Sequence, residues 1–309
     1  MDSRKDNIDS LAMGMMLLFC LVWGLQQVLL KGVALDMAPV LQIAIRSGGA
    51  AILVALLMLW RKEALFSHDT WKPGLIAGVL FTLEFLFLGE GIRHTSASRA
   101  VVFLYCAPIF VALALHWRFP TERLSALQWL GVAAAFSGVA YSFLGGEADQ
   151  SSPPKQWLGD LLSLMAAVVW AATTVVIRST RLSQAPATQT LLYQLLTGLV
   201  LLLLAALLLG QTDYRLSQEL AGSLLFQIVV VAFASYLGWF WLLRRYPASQ
   251  LGIFSFLTPL FGVILGAWLL DETLEPRFIT GALLVMAGMI LVSGHRLLAQ
   301  LIRRVSGLN

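Results

Sequence analysis

Charge is scarce in this sequence. Asp, Glu, Lys and Arg make up 12% of its 309 residues, where a soluble domain carries about 25%. Hydrophobic residues make up 59%. So little charge cannot cover the water-facing surface of a chain this long, which argues against a soluble globular fold. Disorder needs the opposite composition, low hydrophobicity with high net charge. Cysteine is down to Cys20 and Cys106, both in apolar runs, which leaves no disulfide framework and no Cys-based zinc site. The four histidines are scattered and no HExxH occurs, so a zinc hydrolase is not expected. No GxxxxGK[ST] occurs either, which argues against an ATP-driven pump in one chain. No metal or organic cofactor is expected.

What is present is a series of long apolar runs. A helix needs about 20 apolar residues to cross the hydrocarbon core. Ten segments qualify, roughly 11–30, 38–60, 74–92, 98–117, 125–144, 159–178, 187–209, 222–243, 249–270 and 278–297. The loops between them are short, and the longest, around 145–158, is polar with two prolines. The polar opening MDSRKDNIDS leads into a run of full span length without an A-x-A-like cleavage site, so it is read as a retained first helix.

Orientation follows from the cations. With both termini cytoplasmic, 14 of the 21 Lys and Arg lie on the inner side and 6 on the outer, with Arg46 inside a span. That asymmetry predicts termini inside a bacterial-type plasma (inner) membrane. It also accounts for the net charge of +4 without any nucleic acid as partner. Trp60, Trp71, Trp117 and Trp157 fall near span ends, where aromatic belts lie.

The two halves resemble each other. VWGLQQVLLK (22–31) matches VWAATTVVIR (169–178) at an offset of 147, and Ala38, Pro39 and Gln42 meet Ala185, Pro186 and Gln189 at the same offset. ASRAVVFLYCAPIF (97–110) matches ASQLGIFSFLTPLF (248–261) at 151, and Glu122, Leu124, Gly131 and Gly138 match Glu272, Leu274, Gly281 and Gly288 at 150. The expected organisation is a first repeat over 1–145, a periplasmic linker over 146–158 and a second repeat over 159–309. Five helices per repeat is an odd number, so the second copy must be inverted. The predicted fold is an all-α polytopic membrane protein, ten transmembrane helices in two inverted five-helix repeats. In secondary transporters of this kind the site lies at the repeat interface near the midplane.

The sequence resembles the EamA-type ten-helix members of the drug/metabolite transporter superfamily. The resemblance covers nearly the whole chain. It rests on the VWG…K opening, the Pro and Arg of the second span, the TSAS-to-AP-to-E-R-L run of 95–124 and its PAS-to-TP-to-DE-T-L counterpart of 247–274. It implies a central cavity lined by spans 1–4 and 6–9, with spans 5 and 10 peripheral. It also implies efflux or exchange of small metabolites, often amino acids or their relatives.

Among single residues Glu84 is the sharpest signal. It lies near the middle of the third span, where an ionisable group is costly and faces a cavity or a partner. Such a carboxylate can carry a proton or pair with a substrate ammonium. The bland alternative is an ion pair with Arg46, whose depth in the second span differs by only ~2 Å. An offset of 151 puts Ser235 opposite Glu84, so the carboxylate is not duplicated. Trp23, Gln27 and Lys31 recur at i, i+4, i+8 in the first span, and Trp170, Thr174 and Arg178 do so in the sixth. They read either as an aromatic-and-amide wall with a cation at each mouth or as packed tryptophans with snorkelling cations. Tyr105, Tyr236 and Phe254 are weaker candidates for the wall. Pro108 and Pro259 match near the middle of spans 4 and 9 and each frees a carbonyl, at Leu104 and Ser255; they are the expected hinges.

Other residues read as structural. Gly131 and Gly138, and Gly281 and Gly288, are each seven apart, which suits close helix packing in lipid. Glu122 and Glu272 sit at helix ends, Glu90 near the outer end of span 3, and Asp160 in the first turn of span 6, where the helix dipole favours negative charge.

The expected function is a secondary transporter that exports or exchanges a small metabolite, an amino acid or related amine, by alternating access with protons as candidate coupling ion. Its other partner is membrane lipid. The alternatives are an efflux carrier for drugs or cations, an importer of the same fold, a passive channel, and, remotely, an intramembrane enzyme. No span carries the paired carboxylates with a nearby histidine that such an enzyme would need.

Overall fold

The computed structural model describes residues 9–118, 123–144, 155–246, 251 and 254–305, the last stretch with side chains only as far as 293. Glu122, the 146–154 part of the expected linker and the Pro-Ala-Ser of 247–249 lie outside the described residues.

The helices are α1 (Ser10–Gly32), α2 (Pro39–Trp60), α3 (Trp71–His94), α4 (Ala97–Leu104), α5 (Ala107–Arg118), α6 (Ala126–Leu144), α7 (Gln156–Ser179), α8 (Ala187–Leu208), α9 (Gln218–Leu225), α10 (Tyr236–Arg245), α11 (Leu257–Leu269) and α12 (Pro276–Val305). A π-helical segment, Phe226–Ser235, joins α9 to α10. Among the described residues, nine continuous helical stretches are long and apolar enough to cross a membrane, and α11 is a shorter apolar helix. The sequence expectation of ten spans in an all-helical chain therefore holds. Spans 4 and 8 are composite, being α4 with α5 and α9 to α10. The described part of span 9 is Leu251 and Phe254–Leu269.

Local chemistry sets the ends. Asp9 caps α1 by accepting from the Ala12 N–H at 3.0 Å, and Pro39 opens α2, where its missing N–H costs nothing. Helices α2 and α8 end alike. Lys62 (φ 55°) and Gly210 (φ 64°) are both left-handed, and the next N–H, of Glu63 or Gln211, reaches back to Met58 or Ala206 at 2.8 Å. This is a Schellman closure, built twice at equivalent positions.

Packing repeats with the same symmetry. Helices α2 and α6 pack on their own counterparts α8 and α12, and α4 of span 4 packs on α11 of span 9. The contact of α1 with α11 is mirrored by that of α7 with α4 and α5. At the α6–α12 interface the four glycines interlock reciprocally. A Cβ on Gly131 would lie 2.8 Å from the Gly288 oxygen and one on Gly288 2.4 Å from the Gly131 oxygen; Gly138 and Gly281 are paired the same way, at 2.5 and 2.7 Å. Pairing 131 with 288 and 138 with 281 makes the helices antiparallel, as inverted repeats require. Large side chains such as Leu56, Leu204, Ile264 and Leu283 are exposed on the outer faces. In lipid those faces are solvated, and the driving force for helix association is close packing.

Gly138→Ala places a methyl against the facing backbone and should destabilise the fold by about 1–3 kcal/mol. Gly222 is also helical, with nothing within 4 Å of its Cβ position, so Gly222→Ala should stabilise by about 0.5–1 kcal/mol. Thermal melts in detergent check both; equal effects would contradict the close approach.

Candidate functional site

The residues singled out from sequence converge on the middle of the bundle. Glu84 in α3 and Arg46 in α2 are both buried, at 7% and 0% exposure. Tyr236, the first residue after the π-helical segment, lies within electrostatic range of both. Tyr105, at the break between α4 and α5, is buried and lies near Glu84, Tyr236 and Cys20. Its ring meets Trp170 edge-on at 5.4 Å. Glu84, Arg46, Tyr105, Tyr236 and Trp170 thus form one group drawn from both halves.

Trp23 and Phe254 belong to an adjoining group. The Trp23 indole donates to the Ser235 hydroxyl at 2.9 Å and meets Trp239 edge-on at 5.8 Å. The Phe254 carbonyl accepts from the Cys20 thiol at 3.1 Å, and Phe254, Trp23 and Trp239 pack on one apolar cluster. Gln27 is buried and its Oε1 has no hydrogen-bond partner. Thr174 turns its hydroxyl to the Trp170 carbonyl at 3.1 Å, so it spends its donor within its own helix.

Depth does not make Arg46 and Glu84 an ion pair. No direct bridge joins them, and the Nε and both Nη atoms of Arg46 lack a hydrogen-bond partner among the described residues. The guanidinium lies over the Phe85 ring instead, 4.4 Å from its centroid. Equal depth left the azimuth open, and the stacked guanidinium keeps its N–H edge.

Both prolines sit at helix breaks. Tyr105 and Cys106 separate α4 from α5 just before Pro108, and Ser255 and Phe256 precede α11 just before Pro259. The freed carbonyl expected at Ser255 is not free, because it accepts from the Thr258 N–H at 3.1 Å in a tighter turn.

Three cations and acids read as simple end charges behave otherwise. Arg99, counted on the outer side, is buried and chelates Asp160. Its Nη2 is 2.6 Å from Oδ2 and its Nε is 3.1 and 3.0 Å from the two oxygens. It also donates to the Ser142 carbonyl at 3.1 Å, and Thr95 donates to Asp160 at 2.6 Å. Lys31 does not snorkel; its Nζ donates to the Ile92 and Thr95 carbonyls at 2.6 and 2.9 Å. Glu272 makes an end-of-helix contact, accepting from the Ala97 and Ser98 N–H groups at 2.6 and 3.0 Å. Glu90 is bonded to Arg93 and to Gln211. At the opposite end the Tyr246 hydroxyl bonds both Asp9 oxygens at 2.9 Å. The sequence carried no signal for the Arg99–Asp160 pair, since 61 residues separate its members, and none for the π-helical segment that presents Ser235 and Tyr236. Among the described residues no cluster of three metal-ligating side chains occurs.

Comparison with known proteins fits this geometry. The EamA-like transporter family matches twice, over residues 10–144 and 157–294. The chain is 30% identical to a protein of Salmonella typhimurium named a probable amino-acid metabolite efflux pump, over 99% of this chain and all of that one. A protein of the same name from Escherichia coli is 27% identical over 93% and 94% of the two chains. An uncharacterised transporter of Bacillus subtilis is 24% identical over 88% and 92%. One solved crystal structure superposes with a TM-score of 0.64 at 20% identity, covering 92% of this chain and 97% of that one.

Removing one member of a buried pair strands the other charge, at a cost of about 3–5 kcal/mol. Asp160→Asn should lower the melting temperature accordingly, and Arg99→Met with Asp160→Leu should recover most of the loss. A double variant as unstable as the single one would show that the charge itself was not the cause.

Proposed function

This chain belongs to the EamA-like transporter family, and we propose that it is a secondary carrier, not an enzyme, that exports or exchanges an amino acid or related metabolite. The observation that carries this reading is the central group of Glu84, Arg46, Tyr105, Tyr236 and Trp170. It draws on both inverted repeats, and a ligand held there meets residues that move apart when the repeats rock.

In this reading Glu84 pairs with a substrate ammonium or carries the coupling proton. The rings of Trp23, Tyr105 and Trp170 provide apolar surface. The breaks before Pro108 and Pro259 let the halves of spans 4 and 9 tilt. With the termini cytoplasmic, Arg99, Asp160, Thr95, Lys31 and Glu272 lie at the outer end and tie α4 to α7, α1 to α3, and the start of α12 to α4. Opening outward has to break that cluster. Opening inward has to part Asp9 from Tyr246. A second reading, efflux of an organic cation, draws on the same Glu84 carboxylate set among aromatic rings.

Cells overexpressing the wild type should accumulate one or a few metabolites in the medium. Cells with Glu84→Gln at matched membrane levels should accumulate several-fold less, as extracellular mass spectrometry would record. Profiles identical between wild type and variant would remove Glu84 from the mechanism. Saturable flux with counter-exchange in proteoliposomes separates a carrier from a channel, which shows neither.

A further inference from the structure

The two buried arginines among the described residues are treated in opposite ways. Arg99 has a bidentate carboxylate and a carbonyl for its guanidinium. Arg46 is fully buried, yet none of its three nitrogens finds a hydrogen-bond partner among the described residues. A guanidinium stays charged and carries five N–H donors in a planar fork. Burying it unpaired is heavily penalised, and the fold demonstrably supplies partners where a buried arginine is architectural.

The surroundings of Arg46 say what would satisfy it. Phe85 covers one face of the guanidinium at 4.4 Å. A stacked guanidinium keeps its edge, and that edge is the part that grips a carboxylate through two parallel N–H bonds. The charged and titratable groups facing Arg46 are Glu84 and Tyr236, and neither bonds it. Near them stand Tyr105 and, edge-on to it, Trp170. A guanidinium and a carboxyl group buried close together, neither bonded to the other, match a molecule that carries both charges.

We propose that Arg46 is the carboxylate-binding residue of the site, so that the carried molecule bears a carboxylate and is not a simple organic cation. This rests on the carrier reading above and narrows its substrate class. Arg46 grips the carboxylate edge-on, Phe85 holds the guanidinium plane, and Glu84 remains for an ammonium on the same molecule.

The test uses the purified full chain and four probes of one size: L-phenylalanine, hydrocinnamate, phenethylamine and 3-phenyl-1-propanol. They carry both charges, the carboxylate alone, the ammonium alone and neither. Hydrocinnamate at tenfold excess over its Kd should raise the melting temperature by about 3 °C. It should do so in Glu84→Gln as well, and its affinity should fall at least about 30-fold in Arg46→Gln. Stabilisation by phenethylamine alone, by none of the four, or by hydrocinnamate undiminished in Arg46→Gln would overturn the proposal. Should Arg46→Gln not fold, phenylglyoxal on the wild type decides. Hydrocinnamate should protect Arg46 from modification, as peptide mass spectrometry reads. Lack of protection, or no modification of Arg46 at all, overturns it too. Carboxylate binding without any flux in proteoliposomes would sink the carrier reading alone. Flux of amines without dependence on a carboxylate would sink this proposal alone.

Discussion

A buried charge in a bilayer has only the protein to answer it. Water is absent from the hydrocarbon core, so each unmet polar group carries its full desolvation cost. The Arg99–Asp160 pair meets that constraint completely. It takes donors and acceptors from α4, α7, the end of α3 and the end of α6, and so ties both repeats together at one end of the bundle. Arg46 has the Phe85 ring over one face but no hydrogen-bond partner among the described residues. Most of the remaining bundle is apolar packing of a common kind. On the reading proposed above, the contrast between these two arginines separates a place that holds from a place that receives.

Shape is duplicated in this protein and charge is not. The Schellman closures after α2 and α8, the breaks before Pro108 and Pro259, and the glycine contacts of α6 with α12 all recur about one pseudo-twofold relation. Yet the repeat equivalent of Glu84 is Ser235, and that of Arg46 is Tyr193, whose ring packs near Leu182 and Ala77. At one end the closing contact is a chelated ion pair, and at the other it is a tyrosine on the Asp9 carboxylate. Equivalent backbones allow two interconvertible arrangements of near-equal geometry. In the proposed carrier, unequal charges would give the two ends different strengths of closure and place one binding polarity in the middle.

Much of the fold was legible because it depends on composition along the chain. Span positions follow from apolar length, and the helices agree with them to within a few residues, apart from α11, which begins at Leu257 inside the expected ninth span, and α12, which runs on to Val305. The sequence there, HRLLAQLIRRV, is rich in good helix formers, so the helix outlasts the apolar run. The glycine pairs were legible as close contacts because small residues at helical spacing have few other uses in lipid. The site was legible only as a shortlist. Depth placed Arg46 and Glu84 at one level but could not give their azimuth, and no bridge joins them among the described residues. Arg99 and Asp160 looked like end charges because 61 residues of chain hide their meeting. The π-helical segment has no signature in propensity, being a local shift in hydrogen bonding, and it sets where Ser235 and Tyr236 stand.

The central claim is that the two ends of the bundle open in alternation about the inverted repeats. Distances between spin labels test it most directly. One pair, at Leu35 and Trp157, reports on the end that holds Arg99; an equivalent pair, at Ser10 and Gln184, reports on the other. All four positions are exposed, and Cys20 and Cys106 would first be replaced. Releasing the first end with Asp160→Asn should lengthen the Leu35–Trp157 distance and, in the same molecules, shorten the Ser10–Gln184 distance. A change confined to the first end, with the second unmoved, would contradict alternating access in this protein.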